Sequence, residues 1–290
     1  MSAPDRTLLG CTVGGKFRID ARIGSGAVGE VFAGTDLRTA RRVAIKVLFP
    51  RLAQDVRAVA RFRREAEAVG RIVHDGVVDV LDYGDDDGVC FLVMSLLGGR
   101  SLAQILAREG ALGVEDALDL VRQCCEVLRV VHAHGIVHRD LKPQNLFVEK
   151  GGDSPCCIKV LDFGVAKLLG DGPEALTRTG EILGTLAYMA PEQVDARDVD
   201  PRADVYSLGV VFYQTLTGRL PFYDPSPTRL FRKIMTGAPP ALDGIHVQEG
   251  VLVKLREVVH TALSREPSGR YRGMEEFSRA LERVRDELRS

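Results

Sequence analysis

The segment His138-Arg139-Asp140-Leu141-Lys142-Pro143-Gln144-Asn145 gathers an acid, an amide and two cations within eight residues. Its composition is typical of a loop, and loops carry binding and catalytic side chains more often than the elements that they connect. Asp162-Phe163-Gly164 follows a short apolar run, residues 158–161, that is typical of a strand. Both segments are therefore candidates for a chemical role.

A glycine-rich run, Gly24-Ser25-Gly26-Ala27-Val28-Gly29, occurs near the N-terminus. Such glycines let backbone amides approach phosphate oxygens without a side chain intervening. A dinucleotide-binding fold would need a helix directly after the run and an acidic residue about 20 positions later. Residues 30–34 have a strand pattern instead, and no acidic residue lies between Thr39 and Gln54. By itself the run indicates either a phosphate-binding loop or a hairpin turn without a ligand.

Lys46 lies in the middle of the apolar strand pattern Val43-Ala44-Ile45-Lys46. An unpaired ammonium group in such a position is costly to desolvate, so a buried Lys46 requires an anionic partner. Glu65 and Glu67 on the following helical segment are the candidates. The strand pattern is equally compatible with a lysine that points to solvent.

In their order along the chain, these motifs resemble the signature of the Hanks-type serine/threonine protein kinases, and most of all the bacterial branch. The resemblance covers residues 17–285 and extends to Ala190-Pro191-Glu192, Asp204 and Arg270. It implies an α+β, bilobal protein-kinase-like fold with a small antiparallel-sheet N-lobe that carries one helix and a larger, mainly helical C-lobe. The implied domains are an N-terminal extension at residues 1–16 and a kinase domain at residues 17–290. Within the domain, the N-lobe is 17–94, the hinge 95–99 and the C-lobe 100–290.

The resemblance implies that ATP is the nucleotide. Lys46 would contact its α- and β-phosphates and pair with Glu65, while Val31, Ala44 and Phe147 would enclose the adenine ring. Met94 would be the gatekeeper, and the hinge would begin at Ser95. The implied ATP-binding residues are Gly24, Ser25, Gly26, Ala27, Gly29, Val31, Ala44, Lys46, Met94, Ser95, Leu97 and Phe147.

The resemblance also implies how phosphoryl transfer would occur. Asp140 would accept or orient the proton of the acceptor hydroxyl, and Lys142 would offset charge that develops on the γ-phosphate. Asn145 and Asp162 would supply oxygen ligands to Mg²⁺, with Mn²⁺ as a substitute. The predicted catalytic residues are therefore Asp140, Lys142, Lys46 and Glu65, and the predicted metal ligands are Asn145 and Asp162.

Three further features concern the acceptor and regulation. Lys142 and the segment around Thr185 resemble serine/threonine rather than tyrosine kinases, which implies protein substrates with Ser/Thr acceptors. Arg139, directly before Asp140, is suited to hold a phosphate by bidentate hydrogen bonds. Thr177 and Thr179 resemble the pair that bacterial relatives autophosphorylate, and the alternative is two inert surface threonines.

The pattern of apolar residues predicts the elements that must position these side chains. Strands are expected at 17–23, 30–35, 42–48, 77–83 and 89–96, with a helix at 56–71. Helices are expected at 114–134, 203–217, 228–235, 251–263 and 274–288. Gly98-Gly99 is the predicted hinge between the two halves.

Composition excludes several other classes of protein. The 39 basic and 40 acidic residues leave a formal charge of -1, which gives no overall attraction to nucleic acid or anionic lipid. The longest apolar runs fall well short of the roughly 20 residues that cross a bilayer. The six cysteines show no C-x-x-C spacing, which favours a reduced setting. We therefore expect a cytoplasmic protein, or the cytosolic domain of a longer membrane-anchored one. The sequence is compatible with a dimer of kinase domains as well as with a monomer.

Two alternatives to an active protein kinase are a pseudokinase scaffold and a phosphotransferase that acts on small molecules. A pseudokinase typically lacks one of Lys46, Glu65, Asp140, Asn145 and Asp162, all of which are present. Thr185 and the Ala190-Pro191-Glu192 motif, which resemble a peptide-positioning segment, argue against a small-molecule acceptor.

Overall fold

The computed structural model describes residues 8–26, 28–149, 157–163, 184–195 and 197–290. It divides into two compact units. The first unit contains the described residues of Met1–Val73 and Val78–Gly98, and the second contains those of His74–Val77 and Gly99–Ser290. His74–Val77 groups with the second unit because Val77 forms a parallel bridge with Val160, whose N–H donates to Gly76 O at 2.8 Å.

A six-stranded antiparallel sheet with the order β1-β2-β3-β4-β6-β5 forms the first unit. The strands are β1 Thr12–Val13, β2 Phe17–Ser25, β3 Gly29–Asp36, β4 Arg42–Leu48, β5 Val80–Asp86 and β6 Val89–Ser95. Alternate residues form a buried apolar cluster on one face, which includes Phe32, Ile45 and Val93. The hairpin that joins β5 to β6 is tighter than the gap at residues 84–88 between the two predicted strands. Asp87 and Gly88 alone form its loop, with φ of 50° and 79°.

Two helices accompany this sheet, α1 Pro50–Ala53 and α2 Val56–Val69. The carboxylate of Asp55 caps α2 and accepts a hydrogen bond from Arg57 N at 2.8 Å. The helix buries one face, on which Phe62 and Glu65 lie. It ends at Val69, two residues before the predicted end, and Gly70 N donates to Ala66 O at 2.9 Å at its C-cap.

The second unit is mainly helical. Its helices are α3 Leu102–Glu109, α4 Val114–Ala133, α5 Pro191–Val194, α6 Arg202–Thr217, α7 Pro227–Thr236, α8 Glu249–Ala262 and α9 Met274–Arg289. The apolar stripe predicted for α4 is buried, including Cys125 and Leu128. α6 is buried on nearly every side from Ala203 to Leu216. A small antiparallel sheet completes the unit, with β7 Arg100–Ser101, β8 Leu146–Glu149 and β9 Cys157–Val160 in that order.

This architecture confirms the predicted α+β class, with an antiparallel sheet in one unit and helices in the other. The pattern of apolar residues did not predict α3, a helix of eight residues. Its start is marked by Ser101 and Gln104, whose side chains cap each other's backbone N–H groups at 3.2 and 3.0 Å. Too few apolar residues lie in so short a helix to produce a clear period.

Candidate active site

The glycine-rich run forms the hairpin between β2 and β3. Gly24 lies opposite Val31 and Ser25 opposite Glu30, and Gly26 N donates to Gly29 O at 2.9 Å. Glycine is required at Gly29, because a Cβ atom there would lie 2.0 Å from Val47 O. Ala27, which was also assigned to ATP binding, lies outside the described residues. The structure therefore describes a tight glycine hairpin whose ends are fixed by strand pairing.

One face of the sheet carries several of the residues assigned to the nucleotide. Val31 lies opposite Lys46, and Ala44 lies opposite Met94. Directly opposed residues of antiparallel strands project from the same face, and this face is opposite the one that carries the Phe32 cluster. Strand register therefore brings these four side chains onto one surface of the first unit.

Lys46 is buried, with 6% of its surface exposed, and so is Glu65 on α2, with 5% exposed. Burial excludes the alternative of a lysine that points to solvent. Glu67, the other candidate partner, is exposed and accepts a hydrogen bond from Tyr83 Oη at 3.2 Å. A buried charge requires a partner of opposite sign, which favours Glu65 as the counter-charge of Lys46.

Ser95 and Leu97, the predicted hinge residues, are half-buried. Ser95 ends β6, where its N–H donates to Asp79 O at 3.0 Å and its hydroxyl donates to the Asp79 carboxylate at 3.1 Å. Phe147 belongs to the second unit, where it is half-buried on β8 and lies opposite Ser101 and Lys159.

In the second unit, Asp204 on α6 anchors the loop that contains Asp140. Its carboxylate is fully buried and accepts backbone N–H groups from His138 at 2.8 Å and Arg139 at 2.9 Å. The Oδ2 atom of Asp204 also lies 2.7 Å from Nε2 of His132, which belongs to the last turn of α4. One buried carboxylate thereby fixes the loop to two helices.

His138 ties the loop to the segment before Asp162. Its Nε2 lies 2.9 Å from Leu161 O, and its Nδ1 accepts the N–H of Asp140 at 3.2 Å. These two partners assign the neutral imidazole with its proton on Nε2. Burial lowers the pKa of His138, which favours the same neutral form. The ring also packs against Phe163, with centroids 4.9 Å apart.

Four of the predicted residues meet around the Asp140 carboxylate. Lys142 Nζ lies 3.1 Å from Asp140 Oδ2 and donates to Thr185 Oγ1 at 3.1 Å. Asn145 Nδ2 donates to Asp140 O at 2.8 Å and to Asp140 Oδ2 at 3.3 Å. A carboxylate beside an ammonium group and a hydroxyl can accept a proton while the cation offsets nearby anionic charge.

Asn145 and Asp162, the predicted metal ligands, carry oxygen donors of the kind that a hard divalent cation prefers. Leu161 N donates to Asn145 O at 2.8 Å, which fixes the residue before Asp162 to the loop. Because Asn145 Nδ2 faces Asp140, Oδ1 is the amide atom that would bind a metal. Among the described residues, no group of three or more His, Cys, Asp and Glu could hold a metal ion. Mg²⁺ needs no such group, since it is typically bound by one or two protein oxygens together with substrate phosphates.

Glu192 and Arg270 form a buried bidentate ion pair, with bonds of 2.6 and 2.7 Å. All five N–H donors of Arg270 are used, because the guanidinium also donates to the carbonyl groups of Arg202, Ser264 and Arg265. Its cation lies 5.0 Å from the centre of the Tyr206 ring. This cluster holds the helix that follows the Thr185 segment.

Sequence reasoning missed two side chains that support the loop, His132 and Gln193. Gln193 Nε2 donates to Arg139 O at 2.9 Å, and Gln193 Oε1 accepts from Ala190 N at 3.1 Å. The available signal was the position of Gln193 in the first turn of α5 after Pro191, which predicts a cap but not the second bond. Arg139 itself is half-buried, and Thr177 and Thr179 lie outside the described residues.

A match to a known protein family agrees with these features of the site: the glycine hairpin, the buried lysine and the Asp140 loop. The protein kinase domain model matches residues 17–278. The chain belongs to the protein kinase domain family. That family uses ATP with a divalent metal and acts on proteins.

Serine/threonine-protein kinase pkn3 of Myxococcus xanthus is 39% identical over 294 residues, which cover 100% of this chain and 54% of that protein. The chain thus spans about half the length of this curated relative. The crystal structure of the Mycobacterium tuberculosis PknI kinase domain has a TM-score of 0.72 at 27% identity, over 95% of this chain and 98% of that one. The crystal structure of Rad53 1-466 in complex with AMP-PNP has a TM-score of 0.74 at 27% identity, over 91% of this chain and 64% of that one.

Within the described part of the chain, no helix combines the length and the apolar composition that a membrane span requires.

Proposed function

We propose that this chain is an active serine/threonine protein kinase that transfers the γ-phosphoryl group of ATP to hydroxyl groups of proteins. The observation that carries the proposal is the cluster of Asp140, Lys142, Asn145 and Thr185. Its parts are those that phosphoryl transfer needs: an acceptor for the hydroxyl proton, a cation for the charge on the phosphoryl oxygens, and a metal-binding amide. All five residues whose loss typifies a pseudokinase are present.

Residues of both units are proposed to act on the same nucleotide. The backbone amides of the glycine hairpin and the Lys46 ammonium group would orient the triphosphate, with Glu65 as the counter-charge of Lys46. Val31, Ala44, Met94 and Phe147 would supply apolar contacts to adenine. The backbone groups of Ser95 and Leu97 would lie along the edge of the adenine ring. Rad53, a protein of the same fold, was crystallised with the ATP analogue AMP-PNP.

Asn145 Oδ1 and the Asp162 carboxylate would hold Mg²⁺, for which Mn²⁺ would substitute. When bound, the ion neutralises negative charge on the phosphate oxygens. The chain's own residues supply the remaining chemistry. Asp140 Oδ2 would take the proton from the acceptor hydroxyl, and Lys142 Nζ would offset the charge that develops on the transferred group.

Serine and threonine are the proposed acceptors because Lys142 bridges Asp140 and Thr185. Lys142 and the Thr185 segment are also the features by which the sequence resembles serine/threonine rather than tyrosine kinases, and Thr185 would help to position the substrate backbone. The name of the Myxococcus xanthus relative also specifies a serine/threonine kinase.

The proposed regulation is autophosphorylation at Thr177 and Thr179, with Arg139 as the group that binds the phosphate. Protein expressed alone should carry phosphate within residues 171–189, and mass spectrometry of the purified chain checks this. Phosphate found only elsewhere in the chain would contradict the assignment.

We also propose a location for the protein in the cell. It is a cytoplasmic kinase, or the cytosolic domain of a longer membrane-anchored protein.

The test of the function is transfer of labelled phosphate from Mg·ATP to a generic protein acceptor. The wild-type chain should label serine and threonine, and Asp140→Asn should reduce the rate by about 10²- to 10⁴-fold. A parallel reaction with small alcohols as acceptors should show little transfer. Absence of wild-type transfer, equal transfer by Asp140→Asn, or preference for small alcohols would each overturn the proposal.

A further inference from the structure

Arg139, the residue before Asp140, has a backbone conformation that is unusual for a residue with a side chain. Its φ is 63°, in the left-handed region. Such a conformation costs free energy and persists only where the surroundings hold it in place. Both polar groups of its backbone are held: its N–H by Asp204 Oδ1 at 2.9 Å, and its C=O by Gln193 Nε2 at 2.9 Å.

The peptide plane between Arg139 and Asp140 is therefore fixed at both ends. Its carbonyl oxygen accepts from Gln193, and its N–H, which belongs to Asp140, donates to His138 Nδ1 at 3.2 Å. The orientation of this plane sets the direction in which the Asp140 side chain leaves the backbone. A rotation of the plane would move the Asp140 carboxylate relative to Lys142 and Asn145.

Gln193 also contacts the segment that carries Thr185. Its Oε1 accepts from Ala190 N at 3.1 Å, directly before α5. The two ends of one amide thus join this segment to the Arg139–Asp140 peptide. We propose that Gln193 is a positioning residue. By holding the carbonyl oxygen of Arg139, it fixes the orientation of the Asp140 carboxylate, which accepts the proton. This inference rests on the proposed kinase function and adds a residue that the motif comparison did not assign.

The competing explanation is that Gln193 only caps α5. Gln104 gives the matched control, because it occupies the same position in α3 and accepts from the N–H of Ser101 at 3.0 Å. Its side chain is exposed. Substitution of glutamine by glutamate keeps the accepting oxygen in both helices and removes the donating nitrogen. Substitution by lysine has the reverse effect, since lysine only donates.

The experiment compares kcat, KM for ATP and the unfolding midpoint of Gln193→Glu, Gln193→Lys and Gln104→Glu. We expect Gln193→Glu to lower kcat by about 10- to 100-fold with KM for ATP within about twofold of wild type. Gln193→Lys should recover most of that loss, and Gln104→Glu should behave as wild type. If Gln193→Glu melts below the assay temperature, Gln193→Met, which lacks the donor and adds no charge, should show the same loss in kcat.

Two kinetic results would each overturn the inference: a wild-type kcat for Gln193→Glu, or a loss in Gln193→Lys equal to that in Gln193→Glu. The second readout is hydrogen exchange of the Asp140 amide, which requires no turnover. This amide should exchange faster in Gln193→Glu and at the wild-type rate in Gln104→Glu. Equal exchange in all three proteins would contradict the inference even if the wild-type chain proved inactive, and inactivity alone would contradict only the proposed function.

Discussion

Single side chains that never touch a substrate determine the geometry around Asp140. Asp204 holds two backbone N–H groups, His138 joins Asp140 to Leu161, and Gln193 holds the Arg139 carbonyl. Asp204 and His138 are buried, so each must satisfy its polar atoms within the protein. A preorganised carboxylate does not have to reorient during the reaction, and this is the physical advantage of such a scaffold.

His138 predicts how stability depends on pH. Because burial lowers its pKa in the folded state, the unfolded chain, with an ordinary value of 6.5, binds the proton more readily. The contribution of His138 to the free energy of unfolding is fully present above pH 6.5. It is lost as the pH falls from 6.5 towards the pKa of His138 in the folded state. The unfolding midpoint of wild type should therefore be lower at about pH 5.5 than at about pH 7.5.

The matched comparison is between His138→Asn and His246→Gln, since His246 is exposed. His138→Asn should lose part of the difference between the two midpoints, and His246→Gln should keep all of it. An equal difference in wild type and His138→Asn would show that this imidazole does not contribute.

Among helices and strands, the sequence predicted best those with a clear local pattern. The apolar residues of α4 recur every three or four positions, and β4, which begins at Arg42 as predicted, is a short and almost continuous apolar run. The short α3 escaped prediction because eight residues give too few repeats. The Gln193 bond to Arg139 joins residues 54 apart, and no local pattern in the sequence encodes such a contact.

The candidate site shows the same limit. The resemblance to the kinase signature selected Asp140, Lys142, Asn145 and Thr185, which the structure brings together. Which atoms face one another depends on side-chain direction and on backbone such as the left-handed Arg139. Those features follow from tertiary packing rather than from local propensity.

The ion pair that secures α5 gives a prediction for the stability of an element. Glu192→Ala leaves the Arg270 guanidinium buried without its counter-charge, which should destabilise the folded state by about 3–5 kcal/mol. Chemical denaturation followed by circular dichroism measures this. Glu275→Ala removes an exposed i,i+4 partner of Arg279 and should have little effect. Equal stabilities of the two variants would contradict a structural role for the buried pair.

Over the chain as a whole, two separately packed units carry the residues that the proposed reaction requires. The glycine hairpin, Lys46 and Glu65 belong to the first unit, and Asp140, Asn145 and Asp162 belong to the second. The proposal therefore demands that one nucleotide depend on residues from both. The protein kinase domain model matches residues of both units.

The most direct measurement is calorimetric titration of AMP-PNP into the chain, with and without Mg²⁺. Wild type should bind one nucleotide per chain, more tightly with the ion. Lys46→Met and Asp162→Asn should each weaken binding by about 10- to 100-fold, and Asp162→Asn should also remove most of the Mg²⁺ dependence. The control Lys254→Met, a change in an α8 lysine that pairs with Glu287, should bind as wild type does. Wild-type affinity in both Lys46→Met and Asp162→Asn would contradict the account.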